Sequence, residues 1–360
     1  MTVRLRVVLD QLAAPTDPDL QAASRDLARM LVESAPGGCV VDAIAPAGEP
    51  LAVPGIRSEK RLSIGRRELV AAWRMGVAAG ADGGLVHSPT LLAPLVRHDR
   101  ANDAAQTVVT LWDLRAWEAQ GELPKGAAGL QHALLKRAQR HADALVVPSH
   151  AIAVRLAERA DLGARVRVIP GAPPEGFSLP TDAEARRRDL ALPERFVATS
   201  GGAAPSDGLA TAFAAARAAD RDVVVLDAPD GQGRAVREIA ASTGLAADRV
   251  HVRGALDRGD RAAVMGHAGA FVAGSARAAW PWRAVEAMSL GTPVVAVDSD
   301  GHREVVFDGG AVVGADDMGD ALVAALDGEE ERMRVLALDR ARAFSWHGAA
   351  EMVWQLHAEL

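Results

Sequence analysis

The chain has 360 residues, of which 49% are hydrophobic and 24% are charged, and its formal net charge is −7. This composition excludes a disordered chain, and the negative charge argues against nucleic acid as the main partner. The single cysteine, Cys39, excludes an internal disulfide and is typical of a cytoplasmic protein. No apolar run reaches 18 residues and no signal peptide is evident, so we expect neither a membrane span nor export.

The first half of the chain alternates short apolar runs with helical patterns. The runs include VRLRVVLD, VVDAIAP, GGLVHSP, TVVTLWD, ALVVPS and VRVIPG, and the predicted helices cover 19–34, 63–79, 129–142 and 151–160. Strands that alternate with helices predict a doubly wound parallel sheet. Alanine-rich composition and the absence of tyrosine are typical of a bacterial α/β protein.

A stretch rich in proline and glycine, between 170 and 193, interrupts this series and is interpreted as a linker. A second series of strands and helices follows it, and an amphipathic helix over 347–359 ends the chain. We therefore predict two Rossmann-like domains, at 1–178 and 190–344, followed by the helical segment 345–360.

Residues 57–74 combine six basic residues with Ile64, Leu69 and Trp73. A basic helix that carries tryptophan suits the surface of an anionic membrane, and a peripheral contact there is one prediction. A solvated helix face is the alternative.

The segment 271–297, FVAGSARAAWPWRAVEAMSLGTPVVAV, predicts a strand, a loop, a short helix that stops at Gly291, and a buried second strand. It resembles the donor-site signature of family 4 glycosyltransferases. The matching residues are Ser275, Glu286, Ala287, Met288, Gly291, Pro293, Val294 and Val295.

This resemblance implies the GT-B architecture, in which two Rossmann-like domains face a cleft. It also implies that the helical segment 345–360 packs back on the first domain. It also implies transfer of a hexose from a nucleotide-sugar to an acceptor with retention of configuration. The departing phosphate would help to deprotonate the acceptor, so neither a metal nor a cofactor is expected. The sequence does not identify the acceptor, and a protein partner is a further expectation.

The resemblance also suggests the site residues. Glu286 corresponds to the glutamate that binds the ribose hydroxyls, with an exposed helix residue as the alternative. Gly201 and Gly202 follow the first strand of the second domain and are predicted to bind the donor. Arg277 is the predicted phosphate-binding cation, with a solvated surface arginine as the alternative. Glu304 matches a second landmark of the family and is also expected at the donor site, with a local ion pair or cap as the alternative. The candidates on the acceptor side are Asp113, His87 and His150. For the two histidines, a purely structural role is the alternative.

The chain departs from the family pattern at four positions. Ala278 replaces the first glutamate of the signature, Asp207 aligns with a lysine, Trp112 replaces a histidine, and Pro281 offers no N–H to a phosphate. A non-catalytic homologue that acts as a binding or scaffolding subunit therefore stays open as the alternative to an active transferase.

Overall fold

The computed structural model describes residues 2–80, 82–99 and 105–360. The chain divides into two units. The first contains Met1–Pro174 and Ser345–Leu360, and the second contains Glu175–Phe344.

The first unit is built on a seven-stranded parallel sheet of order β3-β2-β1-β4-β5-β6-β7. Its strands are β1 Val3–Val8, β2 Cys39–Ala45, β3 Glu59–Arg61, β4 Leu85–Ser88, β5 Gln106–Thr110, β6 Ala144–Val147 and β7 Val166–Val168. Its helices are α1 Asp10–Ala13, α2 Pro18–Glu33, α3 Arg66–Met75, α4 Arg115–Glu118, α5 Ala127–His141, α6 His150–Ala157 and, at the chain end, α15 Trp346–Glu359.

The second unit has a six-stranded parallel sheet of order β10-β9-β8-β11-β12-β13. Its strands are β8 Phe196–Ser200, β9 Asp222–Leu226, β10 Val250–Val252, β11 Phe271–Ala273, β12 Val294–Val297 and β13 Ala311–Val313. Its helices are α7 Ala183–Asp189, α8 Leu209–Ala218, α9 Gly233–Ser242, α10 Arg258–His267, α11 Trp282–Ser289, α12 Asp300–Val305, α13 Met318–Leu326 and α14 Glu330–Ala341.

The order 3-2-1-4-5-6 that the second sheet follows is the order of Rossmann folds, and the first sheet adds a seventh strand to it. Val-rich strands such as β9 and β12 are buried on both faces, because helices cover both sides of a parallel sheet. The two Rossmann-like sheets predicted from the sequence are confirmed.

Helix boundaries follow local chemistry. Asp17 caps α2 with a carboxylate that accepts N–H groups of the first turn, and Pro18 occupies the first helical position, where no N–H is needed. Ser345 caps α15 in the same way. That helix packs against α2, and the Trp354 indole N–H donates to the Leu31 carbonyl oxygen at 3.1 Å.

The basic segment and the interpreted linker differ from the sequence prediction. The helix expected over 63–79 starts at Arg66 and ends at Met75, and β3 occupies part of the basic segment 57–74. The apolar stripe of that helix faces the core, since Leu69 and Trp73 are buried. The interpreted linker also contains a helix, α7, which packs on α10 through an ion pair of 2.6 Å between Arg186 and Asp260.

Candidate functional site

In an open parallel sheet, ligands bind at the carboxyl ends of the strands, where the strand order reverses. In the second unit this point lies between β8 and β11, which are neighbours in the sheet but are separated by β9 and β10 in sequence. Two loops meet there. The first, the β8 loop, covers 200–208, and the second, the β11 loop, covers 274–281.

Close backbone contacts join the two loops. The Ser275 hydroxyl donates to the Ser206 carbonyl oxygen at 2.7 Å. Gly208, at φ +70°, lies so near Gly274 that a Cβ on Gly208 would be 2.1 Å from the Gly274 carbonyl oxygen. Only glycine suits this position, because the crowding comes from backbone atoms and the conformation is left-handed.

Asp207 links the two loops electrostatically. Its Oδ2 accepts the Gly202 N–H at 2.7 Å, and its Oδ1 accepts from Arg277 Nη1 at 2.6 Å. The next amide, that of Ala203, donates to Gln232 Oε1 at 2.7 Å. The structure thus brings the β8 loop and the predicted cation, Arg277, together, and the Asp207 carboxylate lies between them.

Glu286, the predicted ribose ligand, is 1% exposed on α11. Both of its carboxylate oxygens accept from Arg261 at 2.9 Å, and Arg283 Nη1 adds a bond of 3.1 Å. Arg283 also donates to Asp227 at 2.6 Å. We refer to these residues, Asp227, Arg261, Arg283 and Glu286, as the buried charge network. Burial of the carboxylate requires such partners, because an isolated charge is costly to desolvate.

Sequence reasoning missed Asp227 and Arg261. Asp227 directly follows β9 and has φ +58°, a left-handed conformation that non-glycine residues adopt at a cost. Its position in the sequence could have identified it, because Rossmann folds bind a ribose through an acidic residue that follows the second strand. Arg261 lies inside α10 and gave no signal in the sequence.

Glu304 lies on α12, which follows β12, one strand beyond the switch point. Its carbonyl oxygen accepts from Arg340 at 2.6 Å. Ser299 caps α12, and the exposed Arg303 pairs with Asp298 and Asp300. Within the described part of the chain, no three His, Cys, Asp or Glu side chains are grouped as metal ligands.

The acceptor-side candidates lie on or after β4, β5 and β6, three neighbouring strands of the first unit. Asp113 follows β5 and accepts the Arg115 N–H at 2.8 Å. His150 is exposed at the start of α6. His87 is buried on β4, where its ring meets the His357 ring of α15 edge-on, at 5.7 Å between centroids.

Burial lowers the pKa of both rings. The pKa of His87 is well below its ordinary value because of desolvation and then the nearby His357, and burial lowers the pKa of His357 to about 4. His357 Nδ1 lies 3.1 Å from Gln106 Oε1, while His87 Nδ1 has no hydrogen-bond partner among the described residues. This arrangement is that of two neutral histidines in the core.

The switch point of the first unit, between β1 and β4, carries a residue that sequence reasoning did not single out. Asp10, in the chain's LDQL segment, begins α1 two residues after the end of β1 and is 1% exposed. Its Oδ2 accepts from Arg66 at 2.8 Å and from Gln11 at 3.0 Å. Desolvation raises the pKa of Asp10, and the Arg66 guanidinium partly opposes that shift.

Comparison with known proteins agrees with this geometry. Residues 197–328 match the family described as glycosyl transferases group 1. A search of curated protein sequences finds no match. The GT-B glycosyltransferase resemblance seen in the sequence is confirmed, and its narrower assignment to family 4 stays a prediction.

Solved structures share the fold over the whole chain. Sucrose-phosphate synthase from Thermosynechococcus elongatus is 20% identical, with a TM-score of 0.73 over 99% of this chain and 98% of that one. Anabaena HepE in complex with UDP-glucose is 15% identical, with a TM-score of 0.69 over 99% and 100%. A glycosyltransferase from Rickettsia africae is 14% identical, with a TM-score of 0.68 over 99% and 98%. No described helix is both long and apolar enough to cross a bilayer.

Proposed function

We propose that the protein is a glycosyltransferase that moves a hexose from a nucleotide-sugar to an acceptor with retention of configuration. The observation that carries the proposal is that the β8 and β11 loops meet at the switch point of the second unit. There the Gly202 N–H and the Arg277 guanidinium both donate to the Asp207 carboxylate. The group 1 match over 197–328 includes both loops.

The chemistry of such a donor fits these groups. A diphosphate leaving group gains negative charge as the glycosidic bond breaks, and a protein stabilises that charge with guanidinium and backbone N–H donors. Arg277 and the Gly202 N–H supply donors of both kinds, so the proposal requires no metal. The HepE complex makes UDP-glucose the first donor to test.

The acceptor belongs to the first unit in this proposal. Asp113 and His150 follow β5 and β6, and Asp10 follows β1, so all three lie after strands of that sheet, where Rossmann folds bind ligands. Their polar groups suit the hydroxyl of a sugar or another alcohol.

A specific observation favours the second candidate, a non-catalytic homologue that acts as a binding or scaffolding subunit. Asp207 already takes the donors that a phosphate would need, and the buried charge network already takes the Glu286 carboxylate. An active enzyme would have to release at least the first of these carboxylates.

The two candidates are separated by measuring nucleotide binding and turnover together. For a transferase, millimolar UDP, GDP or ADP raises the melting temperature, because a ligand of the native state stabilises it. Slow release of UDP from UDP-glucose in the presence of candidate acceptors would confirm turnover. Arg277→Ala should abolish the melting shift, whereas Arg303→Ala, at an exposed ion pair, should preserve it. No shift with any nucleotide would contradict the donor site.

A further inference from the structure

Asp207 occupies an anion-binding arrangement. A backbone N–H and a guanidinium converge on its two carboxylate oxygens, at 2.7 Å from Gly202 and 2.6 Å from Arg277. These are the donor types that bind phosphate in proteins. The anion that they hold in this structure is the protein's own side chain.

The β8 loop closes tightly around this carboxylate. Gly201 adopts φ +127°, and a Cβ on Gly201 would lie 2.8 Å from Asp207 Cβ. The Asp207 side chain is only 13% exposed. A diphosphate therefore cannot take the Gly202 N–H while Asp207 holds it, and the like charge of Asp207 opposes its binding to Arg277.

Arg277 has donor capacity to spare for another anion. Its Nε is buried with no hydrogen-bond partner in the part of the chain that the structure describes. The ion pair with Asp207 uses Nη1. A guanidinium that left Asp207 would present its full set of donors to a phosphate.

We infer that Asp207 is an internal competitor of the nucleoside diphosphate, which binds only after the carboxylate leaves Gly202 and Arg277. This inference rests on the proposed donor site. The affinity of the protein for the nucleotide is then reduced by the fraction of molecules in which Asp207 is released. Asp207 would thus weaken the binding of every nucleoside diphosphate by the same factor.

The test compares Asp207→Asn with the unmodified chain by titration calorimetry. Asparagine keeps an oxygen for the Gly202 N–H but removes the charge that pairs with Arg277. The ligands are UDP, GDP and ADP, with uridine as a probe that lacks phosphate. Asp222→Asn is the matched control, because Asp222 pairs with Arg249 at 2.8 Å at the amino end of β9, the opposite edge of the sheet.

We expect Asp207→Asn to tighten binding of at least one diphosphate about tenfold or more, with uridine and Asp222→Asn unchanged. Binding by the Asp207 variant alone would support the inference as well. If the unmodified chain binds and Asp207→Asn binds equally or less well, the inference is wrong and the donor site stands. If neither binds any diphosphate, both are wrong. Asp207→Ser provides the same comparison should the asparagine variant fail to fold.

Discussion

At the scale of single residues, charge and backbone geometry decide what the switch point of the second unit can do. Glu286 is held by two guanidinium groups within the core, and Asp207 by one guanidinium and one backbone N–H in the β8 loop. The buried carboxylate is fixed by its environment, whereas the loop carboxylate is the one that a ligand is able to replace. The two acidic residues therefore have separate roles that their sequence positions did not reveal.

Glu286→Gln tests the first role. The substitution removes the negative charge that faces Arg261 and Arg283 and leaves their positive charges buried with a weaker acceptor. We expect the free energy of unfolding to fall by about 3 kcal/mol, measured by chemical denaturation. Asp222→Asn, at a partly exposed pair, should cost less than about 1 kcal/mol. Equal losses in the two variants would show that burial of the network contributes nothing.

Gly208→Ala tests the loop contact. A methyl group there meets the Gly274 carbonyl oxygen at 2.1 Å, and the residue has to hold φ +70°. The matched control is Gly231→Ala, because Gly231 has φ +80° but no atom within 4 Å of an added Cβ. The control should lose about 1 kcal/mol from the conformation alone, and Gly208→Ala clearly more. Similar melting temperatures for the two variants would mean that the loops separate without cost.

At the scale of elements, the contact between the helix α15 and β4 includes two buried histidines, whose protonation affects the stability of the fold. His357 lies on α15 and His87 on β4, and desolvation lowers the pKa of both. A histidine whose pKa is depressed in the folded state stabilises the fold fully above its unfolded value, near 6.5, and progressively less as the pH falls toward the folded value. For His357 that window extends from about 6.5 to about 4.

We therefore expect the free energy of unfolding to decline between pH 6.5 and pH 4, with about 3 kcal/mol lost from His357 alone. Denaturation curves at several pH values measure the slope. His357→Gln should flatten it, since glutamine does not titrate. His347→Gln, on the exposed side of the same helix, should leave the slope as it is. A slope that His357→Gln does not change would contradict the assignment.

At the scale of the whole molecule, periodicity predicted the fold well and the site less well. Valine-rich runs and glycine stops located most of the strands and the longer helices, because the patterns of these elements lie in the local sequence. The strands β3 and β13 and the helices α1, α4, α7 and α12 were missed, since both strands are three residues long and the helices have only four to seven residues. The pairing of Asp207 with Arg277 spans 70 residues, and no local pattern indicates it.

The C-terminal helix α15 belongs to the first unit, where it packs on α2. Trp354 on α15 is buried, and its indole N–H donates to Leu31 of α2 at 3.1 Å. Trp354→Ala removes that bond and leaves a cavity between the two helices, and we expect a loss of about 3–5 kcal/mol. Hydrogen exchange should rise in peptides that cover α2 and α15, which pack on each other. Gln355→Ala, at the adjacent exposed position, should leave exchange as it is. Unchanged protection of α2 in Trp354→Ala would show that packing of α15 does not stabilise the first unit.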